Sequence, residues 1–117
     1  MARAALVDVR RHPAGCLEAC PRAGSGRRGE ALAGFLQSDV QGDADTARAL
    51  LAEIAAAERG GPPQPGGAGN AFAIAIAKDG AVIRNAVLEN SPPQHFSLAE
   101  LRRALEAWLA AIEEARA

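Results

Sequence analysis

Residues 70 to 88 read Asn70-Ala-Phe-Ala-Ile-Ala-Ile-Ala-Lys78-Asp79-Gly80-Ala-Val-Ile-Arg-Asn-Ala-Val-Leu88, and the fold turns on them. Large apolar side chains alternate with alanine before Asp79-Gly80, which is the period of a strand buried on one face. Asp-Gly is favoured in two-residue type I′ turns, where both central residues need positive φ. The stretch therefore predicts an antiparallel hairpin, Asn70 to Lys78 with Ala81 to Leu88. The expected register sets Lys78 opposite Ala81, Ile76 opposite Ile83, Ile74 opposite Asn85 and Phe72 opposite Val87, with this face in the core. The reverse face carries Ala71, Ala73, Ala75 and Ala77, a shallow surface that is either solvated or open to a second helix or another chain.

Downstream, Asn90 to Phe96 (NSPPQHF) reads as a rigid loop before a helix over about 97–115. Ser97 and Glu100 stand at capping-box spacing, and Phe96 with Leu101 at that of a hydrophobic staple. Leu98, Leu101, Leu105, Trp108, Leu109 and Ile112 fall on one helical stripe, expected to pack across the Phe72/Ile74/Ile76 face.

Upstream, Gly60 to Gly69 (GGPPQPGGAG) is a loop by composition. Before it, Ala47, Leu50, Leu51, Ile54 and Ala55 recur at helical spacing, so a helix is expected over about 43–59. Asp43 would cap it, Asp45 would face the positive end of its dipole, and the Gly-Pro cluster would stop it. Ala5 to Arg10 alternates as a strand, and Cys16 to Ala19 is its return partner or a helical turn. Arg22 to Gly29 reads as an exposed loop, and Ala31, Leu32, Phe35 and Leu36 as either a third strand or a helical turn. The whole reads as a single α+β domain over 1–117, a small antiparallel sheet of N-terminal strands and the 70–88 hairpin against two helices.

The chain holds 117 residues with 49% hydrophobic content, but only three Phe, one Trp and no Tyr. Such a thin core gains from a partner surface or a homodimer. The formal net charge of −1 argues against a general nucleic-acid binder, although charge is polarised along the chain. Arg3, Arg10, Arg11, Arg22, Arg27 and Arg28 outnumber Asp8 and Glu18, whereas Glu30, Asp39, Asp43, Asp45, Glu53 and Glu58 face Arg48 alone. No aromatics interleave with the arginines to stack bases, which weakens an RNA-binding reading. No run reaches the ~20 apolar residues of a membrane span, and Asp8 and Arg10 follow Met1 too closely for a signal peptide. A cytoplasmic location is expected, with Cys16 and Cys20 as reduced thiols.

No catalytic or cofactor motif is visible. His12 and His95 have no partner at a catalytic spacing, a thiol–imidazole meeting of Cys16 with His95 would need the fold to arrange it, and the glycine-rich stretches lack a phosphate-binding context. A non-enzymatic protein without cofactor or metal is expected.

Gly69-Asn70-Ala71-Phe72-Ala73-Ile74, then Asp79-Gly80-Ala81-Val82-Ile83, then Phe96-Ser97-Leu98-Ala99-Glu100-Leu101 and Leu105-Glu106-Ala107-Trp108 together resemble the C-terminal half of small bacterial immunity proteins of contact-dependent and polymorphic toxin systems. The resemblance covers about 45 residues and its motifs are those of a fold. It implies a protein that binds and neutralises one cognate protein toxin, often a nuclease. Charge suggests where: Asp39, Asp43, Asp45, Glu53 and Glu58 could meet a basic cleft, or form a solvated helix face. The alternatives are an oligomeric or regulatory module of the same fold, self-associating through the alanine face, and an RNA binder using the N-terminal arginines.

Overall fold

The computed structural model describes residues 5–62, 64–68, 71–88 and 90–116, with backbone alone for 64–68 and 116. Asn70, expected to open the hairpin, and Arg3 of the basic segment lie outside the described residues. Strands β1 (Val7–Arg11) and β2 (Leu17–Pro21) lead to helix α1 (Gly26–Phe35) and one π-helical turn (Leu36–Val40). Helix α2 (Ala44–Glu58), strands β3 (Gln64–Ala68), β4 (Phe72–Ala77), β5 (Gly80–Asn85) and β6 (Gln94–Phe96), and helix α3 (Leu98–Arg116) follow.

The fold is α+β, with two antiparallel sheets: β1 and β2 pair only with each other, and β3-β4-β5-β6 form the second sheet. The N-terminal strands thus do not extend the hairpin's sheet as expected. Two further elements depart from the sequence reading. Helix α1 begins inside the stretch expected to be a loop. Its N-cap Ser25 gives no side-chain cap, because the hydroxyl donates to the Arg22 carbonyl (2.6 Å). What supports this helix is burial of Leu32, Ala33 and Phe35 against β2, β5 and β6, the usual source of helical stability in a folded chain. Strand β3 lies in the expected Gly/Pro loop, at the sheet edge where its proline is tolerated, and pairs with β4 through an irregular register.

The hairpin forms with the expected faces and a different register. Ile76 pairs with Ala81, Ile74 with Ile83 and Phe72 with Asn85, a displacement of two residues that leaves every side chain within the paired stretch on its expected face. The loop residues are Lys78 and Asp79, closed by the Ala77–Gly80 pair. Among described non-glycine residues only Gln41 and Asn90 have positive φ, so this is not the type I′ turn expected at Asp79-Gly80. Gly80 is needed for another reason: its φ is +145°, and a Cβ there would come within 2.8 Å of the Phe96 carbonyl oxygen on β6.

One connected core joins both sheets and all three helices. Helix α1 lies against β5 and β6, and α2 against β4. At Gly34 a Cβ would meet the Phe72 ring at 2.8 Å, so the missing side chain lets α1 approach β4 closely, and Phe35 meets Phe72 edge-on at 6.5 Å. Helix α3, expected across the hairpin face, instead packs mainly along α2 and reaches β1 and β5. Its capping box forms as expected: Glu100 N–H donates to Ser97 Oγ (3.0 Å) and Ser97 N–H to Glu100 Oε1 (2.9 Å). Asp43 caps α2, accepting from the Asp45 N–H at 3.0 Å. Gly80→Ala combines positive φ with a backbone clash and is expected to cost more than ~1 kcal/mol, read as a lowered midpoint in urea unfolding with an unchanged slope.

Candidate functional site

Strand β5 ends where a side chain diverts the backbone. The Asn85 Oδ1 accepts the N–H groups of both Val87 and Leu88, each at 2.9 Å, a local bond that competes with the strand ladder. Ala86 N–H still donates to Ala71 O (2.8 Å), after which the chain turns outward. Val87 and Leu88 are left 66% and 62% exposed, the only large hydrophobic side chains so placed among the described residues. Val87, expected opposite Phe72 in the core, is therefore a surface residue.

Beside Leu88 opens a groove of about 500 Å³. Phe72 and Ile83 are at its apolar base, Arg27 and Glu30 of α1 line one side, and Asn90, Ser91 and Pro92 the other. A second groove, of about 590 Å³, lies between the β1–β2 turn and α3, lined by Cys16, Gln37, Gln41 and Trp108 among others. Gln41 there has φ 55° and ψ −144°, and its carbonyl accepts from Trp108 Nε1 at 2.6 Å.

The five carboxylates expected to form one acidic surface are dispersed. Asp39, on the π-helical turn, accepts the N–H groups of Ala71 and Phe72 at 3.1 Å each. Asp43 caps α2, Asp45 lies 3.4 Å from Arg48, and Glu58 pairs with Arg102 of α3. Glu53 is half-buried midway along α2. Asp43 and Glu58 stand at opposite ends of a helix about 22 Å long. Four of the five thus already have intramolecular partners.

Glu100, expected only as a member of the capping box, has a second partner. It also pairs with Arg28 of α1, whose Nε donates to the His95 carbonyl (2.9 Å) and whose guanidinium lies 5.3 Å from the Phe96 ring centre. Burial pushes the Glu100 carboxyl up, but the Ser97 backbone N–H, the Arg28 charge and the side-chain bonds from Arg28 and Ser97 outweigh it, so the carboxyl titrates below its ordinary value.

Cys16, exposed at the mouth of the second groove, and Cys20, half-buried on β2, are free thiols. His95 lies in the other sheet. Among the described residues no group of three or more His, Cys, Asp or Glu side chains is placed to hold a metal ion, and no helix is long and apolar enough to cross a membrane. No family model, curated protein or solved structure matches the chain. Val87 and Leu88 had a signal in the sequence: an Asn two residues before Val87, and a Pro-Pro pair immediately before the following strand.

Two measurements check the electrostatics. Because the folded Glu100 carboxyl binds its proton less readily than the unfolded one, its contribution to stability is complete above the unfolded value, ~4.3, and is lost as pH falls through the lower folded value. Glu100→Gln should therefore flatten the acid limb of stability against pH in that window. Asp39→Asn, which leaves one backbone N–H facing an amide donor, should destabilise by ~1–3 kcal/mol in chemical denaturation.

Proposed function

We propose that this chain is a non-catalytic binding protein, acting in the cytoplasm, that neutralises a cognate protein toxin, and that it docks through the rim made by Val87 and Leu88 with the adjoining groove. The observation that carries the docking surface is the exposure of these two side chains, the only large apolar ones so exposed among the described residues. Burying such a side chain against a partner contributes ~1.5–3 kcal/mol, and interface energy concentrates on a few anchors of this kind. The toxin as partner rests on the resemblance of the hairpin, capping box and Trp108 spacing to immunity proteins. The dispersed carboxylates support an electrostatic role less well, since Asp39, Asp43 and Glu58 are occupied inside the chain and a partner would have to displace those bonds.

The test is co-expression with the product of the adjacent upstream gene, scored for rescue of growth and for co-purification. Rescue and a stable complex are expected, with Leu88→Asp weakening the complex at least ~10-fold while leaving the urea midpoint unchanged. Absence of both rescue and complex would remove the toxin reading, and a complex indifferent to Leu88→Asp would move the interface elsewhere.

A further inference from the structure

The groove beside Leu88 has a backbone feature that narrows what it can take. Strands β5 and β6 pair Ala81 with Phe96 and Ile83 with Gln94, and the ladder ends there. Because Ala86 N–H bonds across to β4, the alternation of an antiparallel ladder turns the main-chain groups of Asn85 toward the β6 side. Continuing the register would set Asn85 against Pro92, and proline has no N–H to give. The Asn85 carbonyl thus receives no ladder bond from Pro92, and this end of β5 borders the groove. The outer edge of β6 offers no equivalent opening, since its His95 carbonyl accepts from Arg28.

Among the described residues the polar lining is neutral in sum. Asn85, Asn90, Ser91 and Gln94 supply amides and a hydroxyl, while Arg27 and Glu30 carry opposite charges one helical turn apart. The Asn85 side-chain oxygen is already committed, leaving its NH2 as donor, and Gln94 Nε2 donates to Pro92 O (3.1 Å), leaving its oxygen as acceptor. A phosphate-bearing ligand would meet Glu30, and a strongly basic one would meet Arg27. A peptide main chain offers donors and acceptors without net charge and matches this lining.

We propose that the groove binds an extended, uncharged peptide segment of a protein partner, added as a strand at the open end of β5, with an aliphatic side chain packed between Leu88 and the Phe72/Ile83 base. Strand addition of this kind takes its affinity from main-chain bonds and its selectivity from alternate side-chain pockets. The proposal deepens the binding-protein reading by naming the partner's chemistry, and its test does not require the toxin.

A displayed library of random linear peptides, selected against the full chain, supplies the probe. Enriched sequences are synthesised with a fluorophore and titrated against the wild type, Leu88→Asp, and Ala75→Asp on the opposite, exposed face. The expected outcome is an aliphatic centre with no net charge and binding that changes less than ~2-fold as salt rises from ~50 to ~300 mM. Leu88→Asp should weaken binding at least ~10-fold, Ala75→Asp should leave it unchanged, and N-methylation of one main-chain amide in the peptide should abolish it. Failure to enrich any sequence, enrichment of strongly charged peptides with steep salt dependence, or equal binding to Leu88→Asp would each overturn it. Any of these would leave the co-expression result standing on its own.

Discussion

The guanidinium of Arg28 is the point on which the assembly of this fold depends. From the first turn of α1 it reaches the main chain of β6 at His95, the carboxylate of Glu100 at the start of α3, and the face of Phe96 between them. Three elements distant in sequence are thereby held in one geometry. A lysine could supply the charge but not the planar fork that donates in two directions while lying over a ring. The Glu100 side chain is 18% exposed and Arg28 40%, so solvent discounts the energy of the pair. Its main consequence is positional: it orients α1 over the sheet and occupies the β6 carbonyl that an edge strand would otherwise present to another chain.

A second fastening works at the far side of the core. The π-helical turn places Asp39 under the start of β4, where it receives two consecutive backbone N–H groups, and ends at Gln41, whose carbonyl receives the Trp108 indole. These polar bonds determine which elements meet. The driving force is apolar: Leu32, Leu36, Ile54, Ile83, Leu101, Leu105 and Trp108 are almost wholly removed from water, each worth ~1.5–3 kcal/mol in transfer terms. The shortage of aromatic area noted in the sequence is met by bringing aliphatic residues from both sheets and all three helices into one cluster.

What could be read in the sequence was what local chemistry decides. Asp43 and the Ser97–Glu100 pair marked two helix starts because capping bonds span only a few residues, and the stripe from Leu98 to Ile112 marked the buried side of α3. The start of helix α1 was hidden because Gly26, Arg27, Arg28 and Gly29 have loop composition, whereas a helical turn at Ala31 to Leu36 was one of the two readings open there, and packing against β2, β5 and β6 supports the helix. Strand β3 was hidden because a Pro- and Gly-rich edge strand has no alternation to detect. The faces of the paired hairpin residues were right while the register was not, since a displacement by two preserves the period. What sets the register is non-local: Gly80 passes under the Phe96 carbonyl, a contact made sixteen residues downstream.

The same displacement separates the legible fold from the illegible site. With Phe72 paired to Val87, the ladder would have run to the end of the apolar stretch and left no exposed surface there. With Phe72 paired to Asn85, the strand is spent two residues earlier, and Asn85 turns the remaining apolar residues outward by capturing their N–H groups. Pro92 and Pro93 then prevent β6 from following β5 to its end. Two devices that terminate pairing, an Asn side chain on one strand and a proline pair beside the other, therefore create both the exposed rim and the groove next to it. Either alone would leave less: without the Asn, Val87 would be positioned to continue the strand, and without the prolines, β6 could extend along β5 and fill the groove. The surface proposed for a partner is thus a consequence of where the sheet stops, held in place by the α1 position that Arg28 maintains.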